Sequence, residues 1–421
     1  MGLFAHSLAY YSSVSEVIRP IEESEFPEFV RVLENAAGRH VTPQSVEDAR
    51  ISYPLDRALA LCSDGVIVGG TASDALELTV CGPAVVPAAR ATLTGVLPTH
   101  RGRGLATALL TRQVQDLRQA GEVLVVATTS VPGLVTAADY APVSRAAAVE
   151  LHPRSLRLAA PERTGTVRML EADELPTQLP GIFDRHRRRQ PGQVHRRTDF
   201  WRTWFLDRPL YRIGDGPRFV ALYQDDEGVP QGYLTYRLQP EDLREQPVGE
   251  LVIEDLITVT NDARRDLWVY AATFTQARTV RAVNVPLDEP LRWLLSDPRG
   301  LRTTGVRDFL WLRILDIAAA LSTRAYAVHD RLLLEVHDRH IRENAGRYEL
   351  TVAPNSIACV RTDAPPDMVV DIAALAAAYL GDTTMTTLAA AGRVRECRPG
   401  ALARADALFG LRPGPWTVTD W

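Results

Sequence analysis

Apolar positions recur along this chain at two spacings, and the switch between them sets out its elements. Val17–Pro20 reads as a short strand, and Glu23–Ala37 then brings Phe26, Phe29, Val30 and Leu33 to one helical face. Ala58–Cys62 and Val66–Thr71 read as strands joined by Ser63-Asp64-Gly65, a hairpin turn. Leu76–Val80 and Ala91–Val96 read as two more strands. A glycine-rich turn follows, then a helix to about Ala120 that Gly121 stops, then a strand over Val123–Ala127.

The middle of the chain repeats this texture without a glycine-rich turn. Phe219–Gln224 and Gln231–Arg237 form a hairpin across Asp225-Asp226-Glu227-Gly228, and Glu250–Val259, Asn261–Ala277 and Thr279–Asn284 read strand, helix, strand. The shared order points to a degenerate internal duplication. In the last part, Asp308–Arg324 reads as an amphipathic helix carrying Phe309, Trp311, Leu312, Leu315 and Ile317. Tyr326–Val336, Arg347–Val352 and Ser356–Thr362 read as strands, Asp371–Tyr379 and Thr384–Ala391 as helices, and the alternating WTVTDW end as a terminal strand. The expected architecture is α/β (α+β) in three parts, residues 1–161, 162–304 and 305–421.

A chain of 421 residues exceeds one ordinary core, which agrees with several domains. The composition, 46% hydrophobic and 24% charged, is that of a soluble globular protein, with no run apolar enough to span a membrane. MGLFAHSLAYYSSVSEV lacks the charged start and apolar core of a signal peptide, so the cytoplasm is the expected location. The four cysteines, Cys62, Cys81, Cys359 and Cys397, form no CxxC pair and are read as reduced thiols, with neither a disulfide framework nor a metal site. A net charge of −5 argues against nucleic acid as the main partner and suits a cationic substrate. The basic run Arg185–Arg189 with His195, Arg196 and Arg197 is therefore read as a solvated face or interface patch, and His329, His337 and His340 as polar ends of a strand.

One motif carries chemistry. A pyrophosphate needs several backbone N–H groups converging on it with positive charge nearby, and a helix N-terminus supplies both. In GVLPTHRGRGLATALL, Gly102 and Gly104 let the backbone approach a phosphate, Arg101 and Arg103 can pair with its oxygens, and Leu105, Leu109, Val114 and Leu117 fix the following helix. The turn follows a strand and opens a long helix, the context a coenzyme A site requires. It departs from GxGxxG and comes after several strands, which disfavours a dinucleotide.

The chain resembles the enhanced-intracellular-survival (Eis) acetyltransferases of actinobacteria, members of the GNAT superfamily. The resemblance rests on LPTHRGRGLATALL, QPGQVHRR (Gln190–Arg197), DLWVY (Asp266–Tyr270), RDFLWLRILDIAAALSTRAY (Arg307–Tyr326), YLGD (Tyr379–Asp382) and AGRVRE (Ala391–Glu396). It implies a catalytic GNAT domain, a second GNAT-like domain without a cofactor site and a C-terminal domain like sterol carrier protein. It also implies a homo-oligomer, hexameric in the family, that transfers an acyl group from acetyl-CoA or another acyl-CoA to amines, including those of aminoglycosides and lysine. Carried over by position, Thr94, Gly95 and Val96, then Gly102, Arg103, Gly104, Leu105, Ala106 and Thr107, then Ser130 and Val131 would contact the co-substrate. The general base would be the α-carboxylate of Trp421, with Asp420 beside it.

The match fails at one place. Where the family has SEGGIYGRFGYGPA, this chain has SVPGLVTAADYAPV, so Val135 replaces the Tyr that protonates the departing thiolate. Tyr140 is retained in a structural role. Three readings stay open: acyl transfer with another proton donor, a site remodelled for another acyl donor or reaction, and an inactive ligand-binding protein.

Overall fold

A computed structural model of the chain describes residues 16–82, 84–153, 165–208, 216–239, 249–274 and 277–419. Its contacts divide into two compact units, residues 1–74 with 91–116, and residues 75–90 with 117–421. Among the described residues, no helix is long and apolar enough to cross a membrane.

From the N-terminus the elements are β1 (Glu16–Pro20), α1 (Phe26–Ala36), α2 (Pro43–Ser52), β2 (Ala58–Ser63), β3 (Val66–Thr79), β4 (Val85–Ala91), β5 (Gly95–Val96) and α3 (Leu105–Gln119). In the first unit β1 pairs antiparallel with β2, β2 with β3, and β5 with Gly69 and Gly70 of β3. The face of α1 that carries Phe26, Phe29, Val30 and Leu33 is fully buried against Ala58, Ala60 and Ala72 of the sheet. Leu105 and Leu109 of α3 pack with Leu59, Leu61, Val68 and Val96. The helix start is thereby fixed to the sheet by apolar burial, which leaves the turn before it exposed. Val66–Thr71 and Leu76–Val80, read apart in the sequence, lie largely on one strand, β3.

The second unit continues with β6 (Leu124–Ala127), α4 (Pro132–Ala137), β7 (Ala141–Pro142), β8 (Arg145–Leu151), β9 (Gly165–Met169), α5 (Leu175–Arg187), α6 (Thr198–Phe205), β10 (Phe219–Asp225), β11 (Pro230–Gln239), β12 (Glu250–Thr258), α7 (Asn261–Ala272), β13 (Thr279–Val285), α8 (Leu291–Leu294), β14 (Leu301–Asp308) and β15 (Trp311–Ile314). Then come α9 (Ile317–Thr323), β16 (Asp330–His337), β17 (Gly346–Ala353), β18 (Ser356–Arg361), β19 (Met368–Asp371), α10 (Ile372–Tyr379), α11 (Met385–Ala390), β20 (Val394–Glu396) and α12 (Ala401–Phe409). One sheet runs β14-β8-β13-β12-β11-β10-β9, with α7 buried on it through Leu267 and Trp268. Another runs β18-β17-β16-β19-β20. Two strands reach across the boundaries expected from the sequence: β8 enters the middle sheet, and β15 pairs with β6 and β7.

The helix expected over Asp308–Arg324 is corrected. Phe309–Leu315 is buried at every position, so the segment has apolar neighbours on both faces and forms β15. A short unbroken apolar run serves a doubly covered strand as well as a buried helix, and here the sheet between β6 and β7 took it. Helix α9 starts only after Asp316, whose carboxylate accepts from the Ala319 N–H at 2.9 Å. The terminal strand is also corrected: Pro415–Thr419 joins no ladder.

Arg313 on β15 is completely buried and paired with the Asp338 carboxylate, its terminal nitrogen 2.7 Å from both oxygens. Asp338 also accepts from the backbone N–H groups of His340 and Ile341 and from Asn344 Nδ2. Asp338→Ala strands the Arg313 charge in the interior and is expected to cost about 3–5 kcal/mol of stability, read from urea unfolding. A loss under 1 kcal/mol would contradict this role.

Candidate active site

The turn before α3 is built as its sequence suggests. Gly102 and Gly104 have φ of +77° and +75°, left-handed values that favour glycine, and nothing lies within 4 Å of where a Cβ would stand on either. The helix begins at once, with Ala108 N–H donating to Gly104 O at 3.0 Å. Its first turn therefore presents free amide N–H groups to open space. Leu105 is buried, Ala106 and Thr107 are half-buried, and Gly102, Arg103 and Gly104 are exposed. Thr94 is half-buried and Gly95 and Val96 are buried, next to the turn in sequence.

The two arginines differ. Arg101 Nε donates to Val96 O at 3.1 Å and a terminal nitrogen to Ala36 O at 2.6 Å, so this side chain ties the turn to β5 and α1. Arg103 projects outward and pairs with Glu16. Arg101 thus holds the loop, and Arg103 is the cation that can exchange its surface carboxylate for a phosphate.

In the second unit, Ser130 and Val131 are exposed at the start of α4. Val135 is only 5% exposed and Ala138 is buried, so both side chains sit in packing. Tyr140 is completely enclosed, and its hydroxyl has no hydrogen-bond partner among the described residues. Burial pushes its pKa well above the ordinary tyrosine value, so it keeps its proton.

Trp421 and Asp420 lie outside the described residues. The segment leading to them is locked inside the second unit. Trp416, Thr417, Val418 and Thr419 are all buried. The Trp416 indole N–H donates to Asn284 Oδ1 at 2.7 Å, Asn284 Nδ2 donates to Thr417 O at 3.1 Å, and Trp416 N–H donates to Pro191 O at 2.8 Å. Gly192, at φ +88°, leaves the room in which the Trp416 backbone sits. Arg196 supports the far end: Nε donates to Thr419 Oγ1 at 3.0 Å, and the two terminal nitrogens grip Asp255 at 2.5 and 3.2 Å. The guanidinium lies 4.4 Å from the centre of the Phe183 ring.

Sequence reasoning missed this network. The run Arg185–Arg189 is no uniform solvated face, because His186 and Arg187 are buried and Arg187 pairs with Asp184 and Glu77. The available signal was the QPGQVHRR motif itself, in which Gln190, Gln193 and Arg196 all turn towards the tail.

Residues 17–143 and 192–314 each match a model of the acetyltransferase (GNAT) domain, and residues 317–418 match a sterol carrier protein domain. The chain is thus built from two GNAT domains and a sterol-carrier-like domain. It is 31% identical over 383 residues to N-acetyltransferase Eis of Mycobacterium tuberculosis, covering 88% of this chain and 90% of that protein. It is 34% identical over 365 residues to an N-acetyltransferase of Streptomyces avermitilis, with 86% and 88% covered. The crystal structure of Eis1 from Mycobacterium abscessus superposes with a TM-score of 0.86 at 30% identity, over 96% of this chain and all of that one. The chain belongs to the Eis-type GNAT N-acetyltransferase family and is an enzyme that uses an acyl-CoA as co-substrate.

His186 reports on the docked tail. Its Nδ1–H donates to Thr258 O at 2.9 Å, so Nε2 is the acceptor, facing Gln193 Nε2 at 3.5 Å, and Gln193 Oε1 accepts from Thr417 Oγ1. Burial, then the nearby arginine charges, push its pKa down to about 4 from an ordinary 6.5. The unfolded chain therefore binds this proton more readily. Stability is full above about pH 6.5 and falls as pH drops towards 4, by roughly 3 kcal/mol from this group. His186→Asn, which keeps a donor for Thr258 O, is expected to flatten that part of the pH–stability curve. An unchanged slope between pH 6.5 and 4 would show that other groups control it.

Proposed function

We propose that this enzyme moves an acyl group, acetyl in the first instance, from acyl-CoA to an amine of a small cationic molecule. The carrying observation is the open turn before α3, where two left-handed glycines expose the first amide N–H groups of a long helix beside Arg103. The turn, Gly102 to Thr107, holds the pyrophosphate. Thr94, Gly95 and Val96 hold the acyl end of the pantetheine arm, and Ser130 and Val131 contribute as family resemblance implies. A net charge of −5 favours a cationic acceptor. We place its action in the cytoplasm, as a homo-oligomer, hexameric by the same resemblance.

The base is the α-carboxylate of Trp421. Residues 416 to 419, which precede it, are buried, and the family resemblance implies a docked carboxylate, whose withdrawal from water would raise its basicity. No side-chain acid stands at position 135, and Tyr140 is sealed away. On this reading the thiolate takes its proton from water or from another side chain as it leaves. A thiol has an ordinary pKa near 8.5, so the thiolate is a stable enough leaving group for this. Losing a positioned acid slows such a step by about 10²–10⁴ without abolishing it.

The test is thiol release from acetyl-CoA with polyamines and aminoglycosides as acceptors, alongside calorimetric titration with CoA. Absence of any CoA ester binding would end the reading. Gly104→Val forces a branched residue into the left-handed region and is expected to weaken CoA binding by about tenfold or more. One glycine appended after Trp421 is expected to lower kcat by about 10²-fold. Unchanged turnover would remove the carboxylate from the mechanism while leaving the CoA site standing.

A further inference from the structure

Between β4 and β5 the strand is interrupted at Thr92–Thr94, and a set of buried polar groups gathers there. Ala72 O accepts from Thr92 N–H at 2.9 Å, from Thr92 Oγ1 at 2.8 Å and from Gln113 Nε2 at 2.9 Å. Gln113, on α3, is 2% exposed, and its Nε2 also donates to Thr71 Oγ1 at 3.1 Å. The amide orientation is fixed, because only an NH2 group can face the Ala72 carbonyl. Both of its hydrogens are therefore spent.

Thr71 is completely buried, and its Oγ1 lies 2.7 Å from Thr94 Oγ1. One proton lies between the two hydroxyls, and burial decides whose it is. If Thr94 donated, the Thr71 proton would be left enclosed beside the Gln113 donor with no acceptor, which is costly for a buried hydroxyl. If Thr71 donates, every donor in the series has an acceptor, and Gln113 Oε1 is the one atom of the series without a partner among the described residues. The order is then Gln113 to Thr71 to Thr94. Thr94 is only half-buried, so its own O–H points away from Thr71 and is free to donate. A one-way series of donors also polarises its last member.

We propose that Thr94 is a catalytic residue that donates a hydrogen bond to the thioester carbonyl oxygen of the acyl donor, with Thr71 and Gln113 as its positioning residues. This rests on the reading above, in which the acyl end lies along Thr94 to Val96. The amine nitrogen attacks the carbonyl carbon, forming the C–N bond, and the carbonyl π pair moves to oxygen. That oxyanion accepts the Thr94 hydrogen bond. The pair then returns, the C–S bond breaks, sulfur leaves with its electrons, and the nitrogen's proton passes to the base. Thr94 keeps its proton throughout, since an aliphatic hydroxyl is a far weaker acid than a thiol. A donor fixed in advance needs no reorganisation when charge develops, which is where such groups have most effect.

The experiment compares T94V, T94S, T71V and T71S with the full-length parent, using acetyl-CoA and an active amine. T94V is expected to lower kcat by about 10–10²-fold with KM for acetyl-CoA within about twofold, and T94S to recover most of it. T71V, which frees the Thr94 hydroxyl to turn, is expected to lower kcat by about 3–10-fold, and T71S to restore it. Infrared spectra of bound carbonyl-13C acetyl-CoA give a readout that needs no turnover: the thioester stretch moves to higher frequency in T94V than in the parent. Unchanged kcat and an unshifted stretch in T94V would overturn the assignment, as would a T94S as impaired as T94V. A parent that binds no acetyl-CoA instead marks failure of the acyl-CoA reading itself.

Discussion

Within the second unit, the constraint on which most else depends is the strand Trp311–Ile314 and the charge it carries inward. β15 follows the middle sheet in the chain yet pairs with β6 and β7, and so closes a sheet begun some two hundred residues earlier. Its one charged residue, Arg313, has no route to water. The compensating carboxylate, Asp338, comes from the segment just beyond β16 and is itself held by two backbone amides and Asn344. A buried ion pair adds little net stability, because both ions pay to leave water. Its effect is selective: packings that bring β15 in without Asp338 leave a bare charge in the interior. The pair therefore fixes which sheet receives the strand and where the sterol-carrier-like domain lies against it, around the shared core of Leu312, Ile314, Leu334 and Val336.

The same logic governs the tail. Pro415–Thr419 has no ladder, so nothing repetitive holds it. Apart from the backbone bond from Trp416 to Pro191, its hydrogen bonds are made by side chains placed for them: Asn284 on both the Trp416 indole and the Thr417 carbonyl, Gln193 on Thr417, Arg196 on Thr419. Arg196 uses its three nitrogens and one face at once, which a lysine could not do. Such a segment is ordered by specific partners and not by apolar area alone. That form of anchoring sets the direction of the segment as well as its depth.

How far the sequence revealed this depended on the range of the interactions. Local patterns were readable: the α1 face through Phe26 and Leu33, the Ser63–Gly65 hairpin, the stop at Gly121 and the glycine turn at 102–104 all follow from neighbours within a few residues. Family likeness supplied the three-part order. Non-local choices were not readable. FLWLRIL satisfies a helix and a doubly covered strand equally well, and the arbiter, Asp338, lies 25 residues on. The basic run around His186 looked like a solvated face because its partners, Thr258 and Glu77, are distant in sequence. Val135 was legible as a missing hydroxyl, but its burial, which leaves it in packing, came only from the fold.

The absent tyrosine and the Thr94 series bear on one question, how this enzyme manages charge on the acyl donor. A tyrosine acid acts late, on the departing sulfur. A carbonyl-directed hydroxyl acts earlier, on the oxygen as the tetrahedral intermediate forms. The two are not interchangeable, and a chain that lacks the first gains most from the second if forming the intermediate limits the rate. Thiolate expulsion proceeds without an acid, though more slowly, since the thiol's ordinary pKa near 8.5 makes sulfur a better leaving group than an amine nitrogen that has lost its proton. Addition of the amine, with negative charge building on the carbonyl oxygen, is the other half. That is the half the Thr94 donor proposed above would serve, held by Thr71 and Gln113.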